Sequence, residues 1–143
     1  MKKKHINVIF PNIEDAGPRP WGQEKILSII PDTLSLKLLR IKAGSKGGLQ
    51  YHRKKNECGY LLKGKLIIRF DNGNGKLQEK ILNPGTSFHF PPGAVHQEEA
   101  LEDCEIIEAS TPHFNDRVRV ENKYGIKDKD GLPSTSEDEI ILK

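Results

Sequence analysis

A chain of 143 residues is close to the length of one domain, long enough to bury a core unaided, and its two cysteines are too few for a cystine scaffold or a Cys-based zinc site. The 23 Lys and Arg against 20 Asp and Glu leave a net charge of only +3, with the acidic residues interspersed, so a nucleic-acid partner gains no support. No stretch approaches the roughly 18 apolar residues of a membrane span, and Met1-Lys2-Lys3-Lys4 leads into no signal-peptide core; the expectation is a cytoplasmic protein without a membrane partner.

In the basic lead-in, Ile6, Val8 and Phe10 alternate, the pattern of a short strand. Residues 11–22 are turn-rich. Short apolar segments follow at 25–30, 34–41, 59–62, 65–70, 76–82, 86–90 and 104–109, each bounded by Gly, Pro, Asn or Asp. Leu66, Ile68 and Phe70 share one strand face, and Ile67 and Arg69 the other. The sequence around Gly64 and the Asp-Asn-Gly-Asn-Gly run at 71–75 are hairpin signals. No window carries a helical stripe. The fold class is all-β, and a closed sandwich or barrel is how such a chain hides its strand edges. The expected organisation is an arm over 1–19, one domain over 20–126, and a charged flexible tail over 127–143 whose composition cannot bury enough to order itself.

Chemistry concentrates in two places. In a strand, Gln50 and His52 project to the same side. A charged turn, Arg53-Lys54-Lys55-Asn56, separates them from Glu57, and the rigid Pro91-Pro92-Gly93 corner precedes His96. Two imidazoles, a carboxylate and an amide oxygen make a first-row metal set for one divalent ion: Zn, Mn, Fe or Ni, with positions left open. Cys58 reads as a small wall residue. Arg40 lies opposite to Leu39 and Ile41, and an inward guanidinium there would suit a phosphate or carboxylate.

The spacing Gly44-x5-Gln50-x-His52-x4-Glu57-x6-Gly64 resembles the first motif of the cupin superfamily, with Gln50 for its first His. Gly85-x5-Pro91-x-Gly93-x2-His96 resembles the second, with Ala100 in place of a closing Asn. The resemblance implies a double-stranded β-helix, the cupin jelly-roll barrel, with the metal inside its mouth. Gln50 resembles more narrowly the mannose-6-phosphate isomerase type, in which Gln, His, Glu and His bind the metal; on this chain these are Gln50, His52, Glu57 and His96. Arg19-Pro20-Trp21-Gly22, Leu39-Arg40-Ile41 and the run from Val118 to Gly125 are similar to segments of that branch. Lys55 and Gly59 stand where the branch has Arg and Trp, and Ile126 replaces an Arg.

That resemblance implies a metal-dependent isomerase or epimerase of carbohydrate metabolism, acting on a sugar phosphate or nucleotide-linked sugar. Its base is sought among His113, His89 and Glu108, in that order, with Arg40 and Lys55 as substrate contacts. The competing readings are an Fe(II) cupin dioxygenase and a non-catalytic sugar-binding cupin. Cupins of this size also imply a homodimer, with the N-terminal arm adding a strand to the partner.

Overall fold

The computed structural model describes residues 3–114, 116–126 and 141–142. Its larger sheet runs β1 (Glu14–Asp15), β2 (Gly22–Ile30), β3 (Leu34–Ile41), β10 (Cys104–Ser110), β5 (Glu57–Lys63) and β8 (Ser87–Phe90). The second sheet runs β12 (Arg117–Arg119), β4 (Gln50–His52), β9 (His96–Ala100), β6 (Leu66–Phe70) and β7 (Gln78–Leu82). Every pairing is antiparallel. The all-β expectation holds, and among the described residues no helix is long and apolar enough to cross a membrane.

The interior changes character along its strands. In β10, alternate residues Cys104, Ile106, Glu108 and Ser110 are buried. The β3 partners of these four are Ile41, Leu39, Lys37 and Ser35. One end of the sandwich is therefore an apolar core of Leu61, Leu66, Ile68, Leu82, Phe90, Ala100, Cys104 and Ile106. Its other end is lined with ionisable groups. The apolar half supplies the burial that holds the sheets together, which frees the polar half to form a cavity.

Two local expectations change and one holds. Gly64 does not close a hairpin: β5 and β6 lie in different sheets, so Gly64 is a crossover. Its φ is +91°, and a Cβ there would come within 2.2 Å of the Asp103 carbonyl oxygen, so the position needs glycine for both backbone and space. The 71–75 run does join a hairpin, between β6 and β7, where Asp71 Oδ1 accepts the N–H groups of Gly73, Asn74 and Gly75. Among the described residues, 3–13 form no ladder, where the alternation of Ile6, Val8 and Phe10 predicts a short strand. Of the tail expected at 127–143, residues 127–140 and 143 lie outside the described residues; Ile141–Leu142 form β13, paired with β11 (His113–Phe114).

Candidate metal centre and cavity

Gln50 and His52 leave β4 on the same side, and Gln50 pairs with His96 of β9. The corner before β9 is tied to the same place: the Gly93 N–H donates to the His52 carbonyl at 2.8 Å. Glu57 opens β5 on the facing sheet. These connections bring His52, Glu57 and His96 together, with one donor atom from each lying within 4.8 Å of the others, all buried.

The ring nitrogens are already sorted. His52 donates from Nδ1 to Asp116 Oδ1 at 2.8 Å, and His96 donates from Nδ1 to the Ala94 carbonyl at 2.9 Å. An ionised carboxylate and a carbonyl can only accept, so these bonds leave the lone pairs on both Nε2 atoms. Each Nε2 lies 3.4 Å from the same oxygen, Glu57 Oε1. Two imidazole lone pairs and a carboxylate converging on one point repel one another unless a cation sits between them. The donor set therefore fits a divalent ion, and the second bond of each His is the outer support that metal-ligating imidazoles have.

Asp116 was not singled out from sequence. Its carboxylate is fully buried and also accepts the N–H groups of Lys54 and Lys55, at 2.9 and 2.8 Å. Burial works to raise its pKa, but these bonds and His52 hold it below the ordinary value. The sequence signal was weak, because Asp116 lies 64 residues from His52 and only β12 pairing on β4 brings the two together.

Around the triad lies a cavity of about 670 Å³, open at one side. Gln50, Lys55, Glu108 and His113 line it. Lys55 Nζ lies 3.1 Å from Glu57 Oε2 and 3.7 Å from Glu108 Oε1. Burial works to raise the Glu57 carboxyl, but the groups around it, the Lys55 ammonium among them, hold it well below the ordinary value. Glu108 goes the other way: burial first, then the charge of Glu57, pushes it up to about 7. His113 is held through Nδ1 by Thr111 Oγ1 at 2.8 Å. Three further lining groups were missed: Glu24, its ion partner Lys37 at 2.8 Å, and Glu98. Burial and the charges of Glu108 and Glu57 push Glu98 up to about 8.

Two candidates lie elsewhere. Arg40 points to the outer face, where it reaches Gln23 and Glu105. It fails as a cavity residue because its β3 neighbours Leu39 and Ile41 take the inward positions. His89 is exposed on the outer face because Phe88 and Phe90 point inward from β8, and its ring binds Asn56. Cys58 is likewise exposed rather than part of the wall. At Gly59, a Cβ would meet the Phe88 ring at 2.3 Å, so Phe88 fills the space beside that residue.

A family model described as the cupin domain matches residues 37–113. The chain belongs to the cupin family. This cupin is 29% identical over 86 residues to an oxalate decarboxylase of Arthroderma benhamiae, which is 58% of the chain and 20% of that protein. It is 31% identical over 79 residues to germin-like protein subfamily 3 member 2 of Arabidopsis thaliana, 54% of the chain and 34% of that protein. The match thus spans about a fifth of the first relative and a third of the second. Among solved structures, KdgF from Halomonas sp. superposes with a TM-score of 0.59 at 24% identity, covering 69% of this chain and 86% of that one. An RmlC-like cupin from Shewanella frigidimarina gives 0.58 at 23% identity, covering 71% and 83%. These likenesses establish the cupin barrel for this chain.

Proposed function

We propose that this cupin is a metal-dependent isomerase or epimerase acting on a sugar phosphate or nucleotide-linked sugar. The observation that carries the reading is the buried His52–Glu57–His96 cluster at the floor of an open cavity, with Glu108 and His113 on the same walls. Two features favour the mannose-6-phosphate isomerase type. Gln50 is the ladder partner of His96 and lines the same cavity, which suits the Gln, His, Glu, His set of that type. Arg19, Pro20 and Trp21, the residues resembling the opening of that branch, line the cavity.

When bound, the metal supplies Lewis-acid polarisation of adjacent carbonyl and hydroxyl oxygens, which acidifies the neighbouring C–H. Asp116 keeps the His52 lone pair aimed inward. Lys55 balances the two glutamates at its side. Glu108 moves the proton at the carbon next to the carbonyl, with His113 as the second group in reach of the cavity. The ionised lining favours a polar substrate over an apolar one.

The test is turnover of a sugar-phosphate and nucleotide-sugar panel by the full chain, before and after chelation. Chelation is expected to abolish activity and a divalent ion to restore it, with deuterium from D₂O entering the product beside the carbonyl. Oxygen consumption coupled to product replaces this reading with the dioxygenase. Tight sugar binding without turnover replaces it with the sugar-binding protein.

The same reading includes a homodimer whose interface takes in part of residues 1–25. Ile6, Val8, Ile9 and Phe10 are 79–87% exposed in the single chain, an apolar segment that gains by being covered, and a partner's sheet edge is what an extended arm fits. Light scattering at micromolar concentration is expected to give twice the chain mass; a monomer removes this assembly.

A further inference from the structure

Arg40, the anion contact expected from sequence, faces outward, but the β2–β3 wall of the cavity carries two other cations. Lys37 is the ladder partner of Glu108, and both line the cavity. Lys37 Nζ lies 2.8 Å from Glu24 Oε1, and the Arg19 guanidinium donates to Glu24 Oε2 at 3.0 Å. One carboxylate is shared by two cations, so the trio carries a surplus positive charge. Glu108 has its own ion partner in Lys55. Burial works to raise the Glu24 carboxyl, but Lys37 and then Arg19 hold it below the ordinary value.

The trio is built into the fold. Arg19 and Gly22 exchange backbone hydrogen bonds at 2.8 and 3.1 Å, which closes Arg19-Pro20-Trp21-Gly22 into a tight turn at the start of β2. Lys37 Nζ stands over the Phe114 ring, 5.5 Å from its centroid, a cation–π contact that helps to hold the ammonium in place. The Lys37 side chain is 13% exposed and that of Arg19 is 45% exposed. Lys37 is therefore fixed in the wall, whereas Arg19 has room to turn from Glu24 to a ligand.

Neighbouring strands are about 4.8 Å apart, so Lys37 on β3 lies roughly 10 Å across the sheet from Glu57 on β5, with Glu108 on the strand between them. A hexose held at the metal donors by its carbonyl end spans a distance of that order to a phosphate on its far carbon. We propose that Lys37 and Arg19 form a phosphoryl subsite, which takes the phosphate monoester of a sugar phosphate. This rests on the isomerase reading and assigns the two ends of its substrate. A monoester carries about −1.5 to −2 charge at neutral pH, enough to compete with Glu24 for both cations. Each phosphate of a nucleotide-linked sugar is a diester with a single charge. Arg19 offers a planar fork to the phosphate oxygens and Lys37 a point charge. Glu24 compensates the two cations when no phosphate is present, and so competes with the ligand.

Calorimetric titration of the metal-loaded full chain with inorganic phosphate and with a hexose 6-phosphate is expected to show one site for each. Lys37→Ala and Arg19→Ala are each expected to weaken both by about tenfold or more, the weight of a hydrogen bond between charged groups. Glu24→Gln is expected to tighten both, because the competing carboxylate is gone; a merely structural role for the trio gives weaker binding instead. The His52→Ala/His96→Ala protein is expected to keep its phosphate binding, which separates the subsite from a phosphate sitting on the metal. A nucleoside diphosphate hexose is expected to lose less in Lys37→Ala; an equal loss overturns the preference for a monoester. Unchanged affinity in Lys37→Ala and Arg19→Ala, with both folded by circular dichroism, overturns the subsite. Weaker binding in Glu24→Gln, or none in the double histidine variant, does the same. Turnover keeps the two proposals apart. Lys37-dependent phosphate binding without isomerisation removes the isomerase and leaves the subsite. Isomerisation with an unchanged KM for the hexose phosphate in Lys37→Ala removes the subsite and leaves the isomerase.

Discussion

Purified His52→Ala/His96→Ala protein is expected to carry no stoichiometric divalent metal and to remain folded. The double change removes two of three converging donors, and Glu57 alone cannot hold a first-row ion in a site that leaves positions open. Folding survives because the apolar core lies at the other end of the sandwich. The main packing loss is the stack between His96 and Phe90, whose ring centroids are 3.9 Å apart. Asp116→Ala is the graded member of the series. It removes no ligand, but frees the His52 ring and unties the Lys54 and Lys55 N–H groups, and loss of such an outer partner weakens metal affinity about 10–100-fold. Metal content by mass spectrometry and a competition titration read both effects, with circular dichroism as the check on folding. Unchanged metal content in the double variant overturns the site.

Glu108→Gln is expected to lower kcat by about 10²–10⁴-fold, the range of a positioned acid or base, with KM and metal content little changed. Glu108 is buried and faces the cavity beside Lys55. Its carboxyl stands near neutrality for two physical reasons, burial and the adjacent charge of Glu57. Gln keeps the shape and removes the proton transfer. His113→Ala is the matched comparison, because His113 lines the same cavity but is tied through Nδ1 to Thr111. The kcat loss is expected in Glu108→Gln, and a change mainly in KM is expected in His113→Ala. The reverse pattern transfers the base to His113, the first candidate of the sequence reading. Deuterium exchange at the substrate carbon, measured in each variant, shows which change stops proton removal itself.

The strands that were legible were those with apolar alternation. The segment 65–70 became β6 and 104–109 became β10, each within a residue or two at its ends. A strand without an apolar pattern, β9, reads His-Gln-Glu-Glu-Ala. Its inward side chains are His96 and Glu98, which line the cavity. A strand whose buried face is polar for functional reasons shows no hydrophobic period, so alternation fails at the site itself. Gly64 was misjudged for a different reason. A glycine between two strand patterns signals a tight turn in either case, and whether the next strand pairs back or crosses to the other sheet depends on which edge is open.

The sequence by itself determined the all-β class, the cupin motifs and the identity of the triad, because spacing within a strand and around a turn is set by local backbone geometry. His52, Glu57 and His96 needed only that geometry and the two motifs. Facing direction was decided by the tertiary structure. Arg40 and His89 went outward because the apolar residues flanking each claimed the interior, and the pleat allows alternate residues only one face each. Asp116, Glu24, Lys37 and Glu98 joined the cavity through ladders between strands distant in sequence, which no local pattern encodes.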